Sequence, residues 1–245
     1  MPKFKIMTAC DMNYLRQFGP ALVTSAALAN NNLHIEVSCP ADGFDKEPLI
    51  ELLKLAFCKL CDSSYFTITR DIDLDVISDD ESLRTAYACR RFQLAEQIMQ
   101  RADTSLFIID TDCMIMKHLN EPDCNLGLFL REPLPGTIGY EALGTKVAAG
   151  AVYYHRSFEW FAREVREHIS THEFRWFADQ VALSAVYEKH KNSMLGFQQI
   201  SPDLIDWEFK EGTTVWTGKG PRKYENPKYL EAKQKFETIF KNAIQ

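Results

Sequence analysis

The stretch SLFIIDTDCMIM, residues 105–116, contains four consecutive apolar residues followed by two aspartates that one threonine separates. An apolar run without polar alternation is typical of a strand that is buried on both faces of a sheet. Two carboxylates directly after such a strand cost stability unless something neutralises them. Because open α/β sheets bind ligands at the carboxyl ends of their strands, we expect Asp110 and Asp112 to form part of a ligand site there.

The spacing of the two aspartates suggests a metal site. In an extended chain, side chains two residues apart lie on the same side, so Asp110 and Asp112 would together present hard oxygen ligands. Such ligands suit Mg²⁺ or Mn²⁺ that bridges to phosphates. The alternative is a solvated turn, in which this tripeptide is common.

The segments around this stretch alternate between strand and helix patterns. Leu33, Ile35 and Val37 alternate with polar residues, which indicates a strand, and 4–8 and 65–69 are β-rich. Apolar residues recur at helical spacing in 15–28, 49–60 and 82–100. This order predicts an α/β fold with a mostly parallel central sheet and helices on both faces.

The second half of the chain is less regular. Residues 121–146 contain Pro, Gly and Glu without a clear period and indicate a loop-rich excursion. A strand over 147–154, interrupted by Gly150, precedes two helices, one capped by Ser157 and one over about 176–189. Asn226 as N-cap and Pro227 at the first helical position begin a C-terminal helix over about 226–243. We predict one domain over 1–245.

The composition excludes several classes of protein. Hydrophobic residues make up 46% and charged residues 25%, which is typical of a globular protein and not of a disordered one. The net charge of −6 and the lack of a basic block disfavour nucleic-acid binding. No stretch approaches the roughly 20 apolar residues of a membrane span, and no signal segment is recognised. Seven cysteines without a signal segment indicate reduced thiols and a cytoplasmic location.

Basic residues recur at two further places in the sequence. Arg91 follows Arg90 and interrupts the apolar stripe of its helix, so its guanidinium needs an anionic partner, either a ligand or a local carboxylate. Residues 216–223, WTGKGPRK, contain two glycines and three cations, which suits a diphosphate, although a basic surface loop gives the same pattern.

Three other patterns have simpler explanations. Asp179 and Gln180 lie near the start of a helix, where the helix dipole favours an acid. Cys58 and Cys61 form a lone CxxC inside an amphipathic helix and are interpreted as core thiols without zinc. His168 and His172 lack the glutamate of a metalloprotease motif and indicate a solvated helix face.

Together these motifs resemble a GT-A glycosyltransferase, closest to family 8, which includes glycogenin and the galactosyltransferase-like enzymes. The resemblance covers about Phe4 to Lys223. Residues 7–14, MTACDMNY, are similar to the first strand and nucleotide loop, and Arg91 is similar to the donor-contacting arginine. Residues 110–112 resemble the DxD motif, and 148–152 stand where the family has Asn-Ser-Gly-Val. Residues 217–223 resemble the late His-x-x-Gly-x-x-Lys motif.

The resemblance implies a metal-dependent hexosyltransferase that moves a sugar from a nucleotide-diphosphate donor, a UDP-sugar, to an acceptor hydroxyl such as that of a glycan, with retention. Mn²⁺ or Mg²⁺ would be held by Asp110 and Asp112. Asp179 and Gln180 would join these aspartates in catalysis and face the sugar and the acceptor. The donor would be bound by Thr8, Ala9, Cys10, Asp11, Tyr14, Arg91, Thr111, Gly218, Lys219, Gly220 and Lys223.

Two departures from the family leave alternatives open. Thr217 replaces the histidine that is usually the third metal ligand, and alanine replaces the asparagine before Gly150. A degenerate GT-A domain that binds a sugar nucleotide or a partner without turnover is therefore one alternative. The other is a phosphatase of the haloacid-dehalogenase type, which also places Asp-x-Asp after an apolar strand. That class usually has Thr or Val where Met114 stands, and its motif usually follows the first strand.

Overall fold

A computed structural model describes residues 2–72, 80–131, 145–171 and 177–245. The strands are Phe4–Asp11 (β1), Leu33–Ser38 (β2), Phe66–Asp71 (β3), Ser105–Ile109 (β4), Cys113–Ile115 (β5), Leu126–Arg131 (β6), Lys146–Tyr154 (β7), Phe197–Gln199 (β8), Ile205–Asp206 (β9) and Val215–Thr217 (β10). The α-helices are Met12–Leu28 (α1), Ala41–Asp45 (α2), Pro48–Leu60 (α3), Asp80–Ala102 (α4), Glu159–Thr171 (α5), Ala178–His190 (α6), Arg222–Glu225 (α7) and Pro227–Ile244 (α8). A short 3₁₀ helix, Arg156–Phe158, precedes α5.

Seven strands form the central sheet in the order β3-β2-β1-β4-β7-β6-β8. The strands β3, β2, β1 and β4 are parallel, and β7 runs antiparallel to both of its neighbours. The mostly parallel α/β architecture predicted from the sequence is therefore confirmed. Because β7 reverses direction, its first residue lies at the same edge as the last residues of β1, β4 and β6. Asp11, Asp110, Arg131 and Lys146 therefore all lie toward one edge of the sheet.

The sheet is covered by helices on both faces, and β4 shows this best. Its five residues are all buried, as the apolar run predicts. Phe107 and Ile109 belong to the core beneath α1, α3 and α8, whereas Leu106 and Ile108 belong to the core beneath α4, α5 and α6. Alternate side chains of one strand thus fill two cores, which is the reason that no polar residue interrupts this strand.

A small second sheet brings the end of the chain to the sheet edge described above. Its order is β5-β10-β9, and β10 pairs antiparallel with β5 so that Thr217 lies opposite Cys113. Helix α8 packs against α1 through a cluster that includes Phe18, Tyr229 and Phe236. The loop after β10 is thereby held beside the turn that contains Asp110 and Asp112.

Several local predictions need correction. The segment 121–146 contains the strand β6 at 126–131, and 132–144 lie outside the described residues. The Pro, Gly and Asp content of residues 40–45 indicates a turn with Asp45 as the N-cap of the next helix, but residues 41–45 form a short helix, and Glu47 caps α3. The C-terminal helix begins as predicted, since the Asn226 side chain accepts hydrogen bonds from two backbone amides of the first turn. In the described ranges, no helix has both the length and the apolar character needed to cross a bilayer.

The CxxC pair is also placed differently from the prediction. Cys58 is exposed, and Cys61 is half-buried at the C-cap of α3, so neither is a core thiol. The thiol of Cys61 instead donates to the side-chain oxygen of Asn30 at 3.2 Å. The seven cysteines all lie within the described residues, and none of them forms a disulfide. His172 and Trp176 lie outside the described residues.

Candidate functional site

The candidate site lies where the neighbouring parallel strands β1 and β4 end. The hydroxyls of Thr8 and Thr111 are 2.7 Å apart, and both side chains are buried. The Thr111 hydroxyl also lies 3.4 Å from the carbonyl oxygen of Ala9. These contacts fasten the turn that follows β4 onto β1. Thr111 therefore has a structural partner that the sequence pattern did not reveal.

The DTD segment is a turn and not an extended chain. Cys113 donates its backbone N–H to the carbonyl oxygen of Asp110 at 3.2 Å, which closes the turn. We expected the two carboxylates to lie on the same side of an extended chain. This expectation was wrong, because the segment is a turn. Asp110 keeps a 29% exposed side chain, whereas the side chain of Asp112 is only 5% exposed. The pair thus presents one accessible and one buried carboxylate.

Asp112 is the centre of the buried part of the site. Its Oδ2 accepts hydrogen bonds from the Lys223 ammonium at 2.8 Å and from the Tyr14 hydroxyl at 2.7 Å. Burial and the neighbouring charge of Asp110 raise the pKa of Asp112, and the Lys223 charge opposes this rise. Its other oxygen, Oδ1, is buried and has no hydrogen-bond partner among the described residues. Burial of a carboxylate oxygen without a partner costs free energy, so Oδ1 is suited to bind one further positively charged group.

Arg91 joins two carboxylates that come from different parts of the chain. Its guanidinium forms an ion pair with Asp110, and Nη2 lies 3.2 Å from Oδ2 of Asp179 on α6. Arg91 and Asp179 are both only 7% exposed in their side chains. Burial raises the pKa of Asp179, and the charge of Arg91 opposes that rise. The sequence left open whether Arg91 pairs with a ligand or with a carboxylate of the protein. In the structure, its anionic partners are carboxylates of the protein.

Arg90 points to a different partner. It forms an ion pair with Asp71 at the end of β3, and its Nη2 lies 2.8 Å from Oδ1 of that residue. Asp71 also accepts a hydrogen bond from the Ser38 hydroxyl at 3.3 Å. The adjacent arginines therefore connect α4 to two separate strand ends, and only Arg91 belongs to the candidate site.

The first turn of α6 contributes Asp179 and Gln180, which are both buried. The Gln180 backbone N–H donates to Oδ1 of Asp179 at 2.8 Å. The Gln180 side-chain oxygen is buried and has no partner among the described residues. The pair is therefore part of the site's interior, and Asp179 is also the first-turn acid that the helix dipole favours.

The loop after β10 packs tightly against the DTD turn. Gly218 donates its N–H to the carbonyl oxygen of Asp112 at 3.2 Å. A Cβ at Gly218 would lie 3.0 Å from that oxygen and 2.8 Å from Cβ of Lys223, so a side chain there would collide with both. Gly220 has a φ of +67°, the left-handed region that favours glycine, and a Cβ there would meet open space. The two glycines thus serve different needs, since Gly218 permits protein packing and Gly220 permits the turn.

Lys219 and Lys223 point to different parts of the site. Lys223 contacts Asp112 and Tyr14, whereas the ammonium of Lys219 lies 5.8 Å from the ring centre of Trp207. Burial and the charge of Arg131 lower the pKa of Lys219, while Asp110 and Asp179 oppose this shift. The late loop therefore supplies one cation to Asp112 and another to the part of the site near Trp207.

The remaining residues predicted to bind the donor lie at the end of β1. Ala9 and Cys10 are buried, and burial raises the pKa of the Cys10 thiol to about 12. The Asp11 carboxylate caps α1 by accepting the N–H of Tyr14 at 2.7 Å. The side chains of Thr8, Cys10 and Asp11 are thus engaged within the protein or buried, and contact with a ligand would rest on main-chain atoms or on Tyr14.

Sequence reasoning missed four residues that shape the site. Tyr229 on α8 donates its hydroxyl to the carbonyl oxygen of Asp112 at 2.6 Å. A Cβ at Gly150 would lie 2.9 Å from Oδ2 of Asp110, so this glycine gives the carboxylate its space. Arg131 and Lys219 both lie near the ring of Trp207. The interruption of β7 by Gly150 was a usable signal, whereas nothing in the sequence distinguishes Tyr229 from other aromatic residues of an amphipathic helix.

The described residues contain a separate cavity of about 480 Å³ near the other edge of the sheet. It is lined by residues that include Glu121, Asp123, His155 and Gly196, which lie next to the start of β6, the end of β7 and the start of β8. None of the predicted site residues lines it. Position in the sheet and the chemistry of the side chains therefore define the candidate site better than cavity size does.

The comparisons with known proteins establish a fold. No family model and no curated protein matches the sequence. The structure is similar to that of the glycosyltransferase GlyE from Streptococcus pneumoniae TIGR4, with a TM-score of 0.60 and 11% sequence identity. The similarity covers 99% of this chain and 63% of that chain, so this chain spans less than two thirds of its length. The mixed α/β architecture, with its mostly parallel central sheet between layers of helices, is thus similar to the fold of this glycosyltransferase.

Proposed function

We propose that this chain is a glycosyltransferase that moves a sugar from a UDP-linked donor to an acceptor hydroxyl, such as that of a glycan. The observation that carries this proposal is the buried Asp112 Oδ1 without a partner among the described residues, at the carboxyl edge between β1 and β4. Beside it lie two cations, Arg91 and Lys223, and a second carboxylate, Asp110. Such an arrangement suits a ligand that brings both a divalent cation and phosphates.

The donor set fits Mn²⁺ or Mg²⁺, which we propose as the cofactor. Asp110 and Asp112 would hold the ion with hard carboxylate oxygens. In the described ranges, no group of three or more His, Cys, Asp or Glu side chains could complete the coordination, so water and donor phosphates would provide the rest. When bound, the ion would act as a Lewis acid on the departing diphosphate. Thr217 at the late motif's first position is consistent with such an open site.

The cations of the chain would act on the same diphosphate. Lys223, which now contacts Asp112, lies where it could turn to a phosphate oxygen once a divalent ion neutralises that carboxylate. Lys219, which lies near Trp207, would add positive charge to the diphosphate region from a greater distance and without direct contact. Positive charge that is fixed where the leaving group gains negative charge stabilises the transition state.

Arg91 is a positioning residue in this proposal. It holds Asp110 for the metal and Asp179 for the sugar by contacting both carboxylates. Gln180, whose buried side-chain oxygen has no partner among the described residues, would face the sugar with Asp179. Tyr14 and the main chain of Thr8, Ala9, Cys10 and Asp11 would contact the nucleoside. A likeness to family 8 would make the transfer retaining.

A second candidate is a domain that binds a sugar nucleotide or a partner without turnover. It is favoured by Thr217 in place of histidine and by the Lys223–Asp112 ion pair, which occupies one metal-facing oxygen. The phosphatase alternative is disfavoured because Asp110 would have to act as a nucleophile while it is paired with the buried Arg91. Its motif also follows β4 here and not the first strand.

Release of free UDP from a UDP-sugar, measured with and without Mn²⁺, distinguishes these candidates. Turnover that requires Mn²⁺ supports the transferase, and UDP binding without turnover supports the second candidate. Asp112→Asn should abolish Mn²⁺-dependent UDP binding, because an amide oxygen carries no charge for the ion. Unchanged Mn²⁺-dependent binding in this variant would show that the metal assignment is wrong.

Lys223→Ala separates two roles of that lysine. If Lys223 contacts a phosphate, UDP binding should weaken by on the order of tenfold, since a charge-assisted hydrogen bond is worth roughly 1.5–3 kcal/mol. If Lys223 serves only as the partner of Asp112, Mn²⁺ should instead bind more tightly. Lys235→Ala, on the exposed face of α8, is the matched control.

A further inference from the structure

Three cations gather at the sheet edge beyond Asp110, and we call Arg131, Lys146 and Lys219 the cationic cluster. Arg131 ends β6 and Lys146 begins β7, and the two residues are direct partners across this antiparallel pair. Directly opposed side chains lie on the same face, and like charges in that position destabilise a sheet. The strand pairing therefore keeps two positive charges together at a cost in stability.

Trp207 connects two members of the cationic cluster. The Arg131 guanidinium carbon lies 4.5 Å from the centre of the Trp207 indole ring, and the Lys219 ammonium lies 5.8 Å from it. Within the part of the chain that the structure describes, neither Arg131 nor Lys219 forms an ion pair with a carboxylate. This differs from Lys223 and Arg91, which are both paired with aspartates of the site.

The environment of Lys219 shows that the positive charges act on one another. Burial, the charge of Arg131 and the charge of Lys146 all lower the pKa of Lys219, whereas Asp110 and Asp179 raise it. Burial and, after it, the charge of Arg131 lower the pKa of Lys146, whereas Asp179 raises it. Both shifts agree with the close placement of the side chains, and a bound anion would relieve the repulsion.

The backbone next to the cluster is strained. Phe177 has a φ of +71°, a left-handed conformation that is uncommon for a residue other than glycine. Its ring lies 4.7 Å from the ammonium of Lys146, and it directly precedes the helix that carries Asp179. Strained residues of this kind concentrate at ligand sites, where the surrounding structure maintains them.

The position of the cluster indicates which half of a substrate would reach it. Tyr14 and Asp11 lie at the start of α1, on the β1 side of Asp110. The cationic cluster extends from β6 and β7, on the other side of β4. With the nucleotide beside Tyr14, as the proposed function has it, the cluster faces the sugar or the acceptor.

We infer that the cationic cluster binds a carboxylate or phosphate group that is carried by the transferred sugar or by the acceptor. Arg131 and Lys219 contribute two charges that form no ion pair with a carboxylate of the described residues, and these charges lie 4.5 Å and 5.8 Å from the centre of the Trp207 ring. The location of the anion in the sugar half rests on the proposed function. The existence of the anion site rests only on the cluster.

Isothermal titration of the protein without nucleotide tests the site itself, with glucose 6-phosphate, glucuronate and glucose as probes. We expect the acidic sugars to bind at least about tenfold more tightly than glucose. The double variant Arg131→Gln/Lys219→Gln should lose this preference, while Lys235→Gln should keep it. The single variant Arg131→Gln, whose side chain is exposed, should lose part of the preference without loss of the fold.

Titration with UDP-glucuronate, UDP-glucose and UDP tests the source of the anion. A preference for UDP-glucuronate that the double variant lacks would assign the charge to the transferred sugar. A preference only among the free sugars would assign it to the acceptor. Absence of a preference in both series, or its survival in the double variant, would overturn the inference. If the protein binds acidic sugars but does not bind UDP, the anion site is supported and the proposed function is contradicted.

Discussion

Arg91 allows the sharpest test of how the site is held together. Arg91→Met removes the guanidinium and retains most of the apolar length of the side chain. Asp110 and Asp179 would then lie near each other without the cation that joins them. Because Arg91 and Asp179 are nearly excluded from water, the remaining carboxylates could not be solvated without rearrangement.

The expected loss of stability is large. Removal of one partner from a buried ion pair typically costs about 3–5 kcal/mol. For a domain of this size, that corresponds to a fall in melting temperature of roughly 6–20 °C. The pKa of Asp179 is already raised by burial, and it should rise further without Arg91. A carboxyl with a raised folded-state pKa destabilises the fold when it is ionised, so the variant should regain stability as the pH falls through that pKa.

Urea unfolding at neutral pH and at about pH 5 measures both effects. Arg163→Met is the matched control, because Arg163 is 44% exposed and its partner Glu96 keeps a second arginine, Arg166. Such a surface pair contributes little to stability, so this variant should unfold close to the wild type. The combination of Arg91→Met with Asp179→Asn should recover part of the loss, as expected for interacting residues. An Arg91→Met variant within about 1 kcal/mol of the wild type would refute this reasoning.

Three further predictions concern the neighbourhood of the aspartates. Gly150→Ala should weaken Mn²⁺-dependent UDP binding more than it lowers the melting temperature, since its methyl group would lie 2.9 Å from Oδ2 of Asp110. Gly218→Ala should lower the free energy of unfolding by about 1–3 kcal/mol in urea titrations, because its methyl group would overlap the Asp112 carbonyl. Thr217→His should tighten Mn²⁺ binding in a calorimetric titration if the missing histidine is the only defect of the metal site.

The sequence predicted those parts of the fold that depend on local chemistry. The apolar run of β4, the alternation in β2 and the Asn226-Pro227 helix start each report a local requirement, namely burial on two faces, burial on one face and capping. The structure confirms the strand β4, the strand β2 and the helix start, but burial on one face is wrong for β2, because His34 and Ser38 on its polar face are also buried. The parallel order of the first strands followed from the alternation of strands and helices for the same reason.

The site was less predictable because its contacts join residues that are far apart in the chain. Arg91 contacts Asp179 across 88 positions, and Lys223 contacts Asp112 across 111. The motifs identified these residues but not their partners. The extended form expected for the DTD segment was wrong because the Cys113 amide closes a turn there. The composition of 121–146 predicted a loop, so the sequence did not reveal the strand β6. For the same reason it did not reveal the pairing of Arg131 with Lys146.

The balance of charge explains why a divalent cation and a diphosphate belong together in this proposal. Among the ion-paired side chains, the cations Arg91 and Lys223 face the three carboxylates of Asp110, Asp112 and Asp179, so these five groups together carry one uncompensated negative charge when all are ionised. Lys219 lies outside this set of ion pairs. A diphosphate alone would meet that charge and be repelled. A divalent ion at the aspartates reverses the sign and removes the need for Lys223 to stay on Asp112. The metal should therefore strengthen donor binding in two ways. Its own charge attracts the diphosphate, and it releases Lys223 from Asp112 so that the lysine can contact the phosphates.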